Sequence, residues 1–348
     1  MIKNNESNLQ RGCRAVKKSR ILPLLGAALL LVFLLSFSLG RYGVPLEQVF
    51  RILWGQLFPA EITWTTQMET AVVQLRLPHI LLAMLVGASL SAAGTAYQSV
   101  FRNPMAAPDI LGASSAACFG AAVGILLGGG RAAIIALAFV MSLGSIALVY
   151  GVSRHTRGSH LLNILLSGIV VSSLFSAGTS WLKLVADPTD QLPAITYWLM
   201  GSLNGTRLPT VGFAVIPIAL GLVPLLLLRW RMNLLTVGRE EALSMGVNVE
   251  KVRLIVILCA TILTAASVSV SGMIGWVGLI IPNLCRKWVG SDCRRLIPVS
   301  MLSGALFLLV VDNVSRCLLA VEIPIGILTA LIGAPFFLYL MTRKEYAL

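Results

Sequence analysis

Charged residues are scarce in this chain of 348 residues. They make up 12% of it, and only 14 are Asp or Glu. Uncharged runs long enough to cross about 30 Å of hydrocarbon recur along the sequence. They cover 21–40, 77–101, 110–130, 132–153, 158–182, 208–228, 254–285, 296–311 and 323–342. This excludes a soluble protein and predicts an all-α polytopic membrane protein, because the runs do not alternate as barrel strands do.

The run over 254–285 is too long for one span. Its 32 residues would form a helix of roughly 48 Å at about 1.5 Å per residue. Gly272, Gly275, Gly278 and Pro282 weaken or break a helix. We therefore predict a span over 254–272 and a short helix over 275–285, which gives ten segments in one transmembrane domain over 21–342. Short tails precede and follow it, at 1–20 and 343–348.

The basic residues are distributed unevenly between the predicted loops. With the N-terminus inside, the six cytoplasmic regions hold 20 of the 27 Lys and Arg. The other seven fall outside: Arg41, Arg51, Arg76, Arg131, Lys183, Arg207 and Arg316. Because cytoplasmic loops collect Lys and Arg, this asymmetry predicts that both termini and the polar loop over 232–253 are cytoplasmic. It also explains the net charge of +13 without a nucleic-acid partner.

The dipeptide Gly-Lys does not occur in the sequence. A P-loop needs it, since that lysine and the adjacent amides hold phosphate. The chain is therefore predicted not to be an enzyme and not to hydrolyse ATP. The six cysteines show no CxxC spacing and are interpreted as packing residues or free thiols.

Acidic and metal-binding side chains are rare within the predicted spans. Asp109 follows Pro108 and is expected to cap the helix of the third span. Asp312 lies near the outer end of its span, and the three histidines lie at membrane boundaries. This disfavours an ion-coupled secondary transporter acting alone, which remains the alternative from another class. No bound metal or cofactor is expected.

The polar loop contains one predicted short helix over 239–245. Glu240 and Glu241 occupy its first turn, where carboxylates suit the positive helix end. Ala242 and Met245 are expected on one side, and Gly246 supplies the left-handed stop. Such a helix is either a docking element or a solvated connector, and this loop alone leaves both open.

Several segments, in order along the chain, together resemble one known family. They are RLP at 76–78, the run 87–117, SGMIGWVGLIIPNLCR at 271–286, Asp312 with Arg316, EIPIG at 322–326 and IGAPFFLYLM at 332–341. They are similar to the permease subunit of iron-siderophore and cobalamin ABC importers, the FecCD-type family, over about 20–342.

The resemblance implies a type II importer in the inner membrane of a bacterium or archaeon. The permease would pair as a homodimer or with a close paralogue. Its further partners would be two P-loop ATPase subunits, which bind ATP and Mg²⁺, and an extracytoplasmic substrate-binding protein. The expected substrate is a ferric siderophore, with haem or cobalamin as alternatives.

The resemblance also assigns residues. The ATPase-coupling helix would use Gly238, Arg239, Glu240, Glu241, Ala242, Met245 and Gly246. Docking of the binding protein would use Arg76, His79 and Arg316. Cytoplasmic gating would use Asn103, Pro104, Met105, Leu161 and Leu162. Two positions depart from the family pattern: His79 replaces an arginine, and Asn283 replaces a histidine after Pro282.

Overall fold

The computed structural model describes residues 20–342, apart from 41, 57, 59–62, 156–159, 237–238 and 320. Within these residues the ten predicted segments correspond to ten helices. They are α1 (Ile21–Ser38), α4 (Leu77–Phe101), α5 (Ala113–Leu126), α6 (Arg131–Arg154), α7 (His160–Val185), α9 (Leu208–Asn233), α11 (Val249–Ser271), α12 (Val277–Val289), α13 (Cys293–Cys317) and α14 (Ile325–Thr342). The remaining α-helices are α2 (Leu46–Gly55), α3 (Thr66–Glu69), α8 (Gln191–Leu199) and α10 (Arg239–Ser244).

Seven helical segments are long and apolar enough to cross a membrane. They are α1, the continuous segment Thr66–Phe101, α6, Leu161–Val185, α9, α11 and α13. In Thr66–Phe101, a π-helical stretch (Thr70–Arg76) joins α3 to α4. α5 and Ile325–Tyr339 are apolar but shorter. The described part of the chain is thus an all-helical, multi-pass bundle.

The long run over 254–285 is divided as predicted. α11 ends at Ser271, and Gly272 takes the left-handed conformation with φ +68°. A second left-handed residue, Trp276 with φ +71°, precedes α12. The second helix begins at Val277 and continues to Val289, beyond the predicted end at 285. Two residues with positive φ therefore divide one apolar run into two helices.

The third predicted span begins deeper in the bundle than expected. α4 ends at Phe101, yet Pro108 lies at the level of Leu90. Both residues pack against Gly278, because a Cβ added to that glycine would overlap Pro108 and closely approach the Leu90 carbonyl. Eleven helical residues separate Leu90 from Phe101, roughly 16 Å at about 1.5 Å per residue. The re-entrant segment (residues 102–112) thus turns back into the bundle. Because α5 begins at that depth, it has only 14 residues.

The expected capping role of Asp109 is wrong. Asp109 lies in a short 3₁₀ helix (Pro108–Leu111), and Gly112 occupies the N-cap of α5 with φ +73°. The carboxylate instead accepts a hydrogen bond from the Ser114 hydroxyl. Hydropathy alone could not locate this helix start, because Ile110, Leu111 and Gly112 are as uncharged as the helix that follows them.

α4, α11 and α13 form the centre of the bundle. α4 and α13 touch through backbone, since a Cβ on Gly87 would overlap the carbonyl of Gly304. Small residues permit this approach, which is how membrane helices pack when there is no hydrophobic driving force between them. α1, α6, α7 and α9 surround this centre and leave most of their surface exposed.

Candidate functional site

The predicted docking residues meet in a buried polar group at one end of the bundle, which we call the outer cluster (Arg76, His79, Asp312, Asn313 and Arg316). Asp312 is 1% exposed and lies 2.9 Å from Nε of Arg316. Its other oxygen lies 3.6 Å from Nδ1 of His79. The cluster therefore joins α4 to α13 through one shared carboxylate.

Arg76 is also buried, with 6% of its surface exposed. Its guanidinium donates to the backbone carbonyls of Phe37 and Tyr42 and lies against Gly40. The segment after α1 therefore covers this side chain. The structure places all three predicted docking residues at the same end of the bundle, where they face internal acceptors. Their docking role stays a prediction.

The outer cluster continues towards α1. Arg316 donates to the side-chain oxygen of Asn313 at 2.7 Å, and Asn313 donates to Ser36 at 2.6 Å. Sequence analysis missed Asn313 and Ser36. Neutral polar residues within apolar helices carry little signal by themselves, because small hydroxyl side chains often bond their own backbone.

The predicted coupling helix is present as α10, which ends at Ser244, one residue before its predicted end. Gly246 supplies the left-handed stop with φ +73°. Gly238 and the side chains of Arg239 and Glu240 lie outside the described residues.

The expectation that Ala242 and Met245 share one side is wrong. Ala242 is fully buried, whereas Met245 is 53% exposed. The backbone N–H of Val247 bonds to the Ala242 carbonyl at 3.0 Å, which closes the turn after the helix. Ala242 thus fixes α10 on the bundle, and Met245 presents an apolar side chain outward.

Hydrogen bonds fasten the start of the polar loop to the central helices. Arg102 donates to the Leu235 carbonyl at 2.8 Å. Asn233 donates to Asp292 at 2.7 Å and accepts from the N–H of Cys293 at 2.8 Å. These contacts reach both the end of α4 and the start of α13, so they connect the polar loop to both helices.

The predicted gate residues Asn103, Pro104 and Met105 form a tight turn after α4. The Asn103 side chain accepts from the N–H of Met105 at 2.8 Å, and Met105 is 41% exposed. Leu161 and Leu162 lie in the first turn of α7, where Leu161 packs on the core and Leu162 is exposed. Their role as a gate stays a prediction.

A side-chain network missed by sequence analysis supports that turn. Asn283 donates to the Pro104 carbonyl at 2.9 Å. Arg286 donates to the Asn283 oxygen at 2.6 Å and to Gln98 at 2.7 Å. Asn283 was noted only as a departure from the family pattern. The available signal in the sequence was Arg286, the first charged residue after the uncharged run over 254–285.

Comparisons with known proteins agree with this architecture. The model of the FecCD transport family matches residues 28–343. A molybdate import system permease from Haemophilus influenzae is 41% identical over 90% of this chain and 93% of its own. A Helicobacter pylori permease, named as a probable iron chelatin transport protein, is 39% identical over 80% and 85%.

A solved chain has the same overall structure. It is described as an inward-facing conformation of an ABC transporter of the metal-chelate type. The two chains are 38% identical, and the TM-score is 0.83 over 93% of this chain and 99% of the other.

Proposed function

The chain belongs to the FecCD transport family of ABC importer permeases, and we propose that it carries a ferric siderophore into the cytoplasm. ATP is hydrolysed on two separate ATPase subunits, and a second permease subunit, identical or closely related, completes the route. An extracytoplasmic binding protein delivers the substrate, and the assembly lies in the inner membrane.

The geometry of the polar loop is the observation that supports this proposal best. Met245 is exposed beside a helix that Ala242 fixes in place. An exposed apolar side chain in a charged loop suits a groove on a partner protein, since such anchors carry much of the binding energy at interfaces. The ATPase subunits bind here, and their closure displaces α10.

Movement of the loop then reaches the central helices through the contacts at its start. Arg102 donates a hydrogen bond to the Leu235 carbonyl, and Asn233 donates one to the Asp292 carboxylate. The gate turn lies directly after α4, which Arg102 ends. We propose that ATP-driven displacement of the loop opens and closes the route at this turn.

At the opposite end, the binding protein docks through the basic residues of the outer cluster. Because Arg76 donates to the Tyr42 carbonyl, docking requires the segment around Tyr42 to move aside. Acidic residues of the binding protein then replace backbone carbonyls as acceptors. Charged contacts of this kind set orientation and encounter rate more than affinity.

The iron chelate is preferred as the substrate because of the resemblance and the Helicobacter relative. Haem and cobalamin remain alternatives within the same resemblance. Molybdate is a second candidate, favoured by the 41% identity to the Haemophilus permease.

Uptake by proteoliposomes tests the proposal. The permease is reconstituted with its ATPase subunits and binding protein, and a panel of ferric siderophores, haem, cobalamin and molybdate is offered with ATP. We expect uptake of a ferric siderophore only when ATPase and ATP are both present. Uptake by the permease alone, driven by an ion gradient, would instead establish a secondary transporter.

A further inference from the structure

A recess of about 410 Å³ opens on the side of the bundle where the re-entrant segment meets α7. Asp109 and Ile110 line it from the re-entrant segment, and Ser172, Ser173 and Ser176 line it from α7. No described residue other than Ser114 donates a hydrogen bond to the Asp109 carboxylate. We call this the mid-depth recess.

The recess lies near the middle of the membrane. Ser172 is twelve residues after the start of α7, roughly 18 Å along a helix of 26 residues at about 1.5 Å per residue. The re-entrant segment is held at this level, because Ser115 and Ser172 share a hydrogen bond of 2.8 Å and Gly112 packs against the backbone of Ser172. The position of Pro108 against Gly278, at the level of Leu90 in α4, gives a similar depth independently.

The recess faces outward from the single chain. Asp109, Ser173 and Ser176 are all exposed. A carboxylate in contact with lipid at this depth is strongly unfavourable, and acidic residues within the membrane face a water-filled cavity or a partner. The side of α7 that carries these serines is therefore turned away from lipid.

We infer that the mid-depth recess lines the water-filled substrate route and that Asp109 contacts cationic or hydrogen-bond-donating groups of the passing cargo. This inference rests on the proposed import of a chelate. A carboxylate attracts positive charge and repels negative charge, and both effects are larger in a low-dielectric surrounding than in water. Asp109 thereby favours neutral or cationic chelates and disfavours free oxyanions such as molybdate.

Cysteine labelling tests the position of the recess. Ser173→Cys is compared with Leu220→Cys, which lies twelve residues along α9, is 63% exposed and is surrounded by apolar side chains. Both variants carry Cys13→Ser and Cys317→Ser. In membranes, a charged, water-soluble thiol reagent should modify Ser173→Cys at least tenfold faster than Leu220→Cys, since only a hydrated thiol ionises. Equal, slow labelling would overturn the assignment to the route.

Uptake tests the role of the charge. Asp109→Asn keeps the shape and the acceptor for Ser114 but removes the charge, and Asp190→Asn removes an exposed loop charge as a control. We expect Asp109→Asn to lower uptake of a cationic ferric siderophore about tenfold, with ATPase co-purification unchanged, and to raise any molybdate uptake. Unaltered uptake of both substrates would contradict the inferred contact between Asp109 and the cargo.

The two arms separate this inference from the proposed function. If the unmodified protein fails to transport any chelate with its ATPase, the proposed substrate is wrong, and the labelling still decides whether the recess is hydrated. If chelate uptake occurs but neither arm shows the expected difference, only the inference fails.

Discussion

Asp312 is the residue around which the outer cluster is arranged. It is nearly inaccessible and holds Arg316 at 2.9 Å, so two opposite charges share a site with little water. Such a pair adds little net stability compared with apolar residues, but removal of one partner leaves a buried charge behind. Sequence analysis assigned Arg76, His79 and Arg316 to one predicted docking site. It could not predict their burial, because a residue type does not specify which acceptors lie within reach.

Arg316→Ala should therefore destabilise the protein by about 3–5 kcal/mol, since Asp312 would remain buried without its partner. The measurement is chemical unfolding of the purified full chain in detergent. Arg51→Ala is the matched control, because Arg51 forms an exposed pair with Glu47 at 2.7 Å. That change should cost less than about 1 kcal/mol. Equal effects of the two substitutions would contradict the assigned burial.

At the level of secondary-structure elements, hydropathy predicts which segments are apolar but not whether an apolar segment crosses the bundle or turns back into it. The span over 77–101 coincides with α4, and the division of 254–285 was predicted because glycines and a proline break helices. The predicted span over 110–130 missed the re-entrant segment. Its start at mid-depth depends on Pro108 packing against Gly278 and on Gly112 packing against α7, and these contacts are formed only in the folded bundle.

The start of α13 gives a prediction at this scale. Asp292 is its N-cap and accepts from the N–H of Arg294 at 3.0 Å and from Asn233. Partial burial opposes ionisation, but these hydrogen bonds outweigh it and lower the pKa of Asp292. Asp292→Ala should cost about 1 kcal/mol in the free energy of unfolding, the usual value of a lost cap.

The sign of the pKa change fixes the pH dependence. Because the folded state lowers the pKa, the ionised cap stabilises the protein fully above the ordinary Asp pKa of about 3.9 and loses this effect as the pH falls through the lowered value. The difference in unfolding free energy between the unmodified protein and Asp292→Ala should therefore shrink in acid. A difference that grows as the pH falls would contradict the assignment.

At the scale of the whole molecule, the two ends of the bundle have different surfaces. The outer cluster is closed by backbone carbonyls, whereas the polar loop at the opposite end exposes Met245. This asymmetry is what an importer driven from one side requires. From the sequence, the distribution of basic residues predicts that the polar loop is cytoplasmic, and the missing Gly-Lys predicts that ATP is hydrolysed by another chain.

Met245→Ser should lower co-purification of the ATPase subunits at least tenfold, because it removes the exposed apolar anchor while membrane insertion stays intact. Ser244→Ala is the neighbouring control, since its hydroxyl bonds the Glu241 carbonyl of its own helix. The measurement is the ATPase recovered with tagged permease from detergent. Full recovery with Met245→Ser would show that the loop is a solvated connector.

The contact between Gly87 and Gly304 has a consequence for movement. The two backbones touch so closely that α4 and α13 cannot slide past each other without separating, and the shared carboxylate of Asp312 holds the same pair at one end. These helices therefore form one rigid unit, and in the proposed cycle the polar loop displaces both of them together against the less buried helices around them. α7, which carries the serines of the mid-depth recess, is one of those surrounding helices, so the polar wall inferred for the route lies outside the rigid unit.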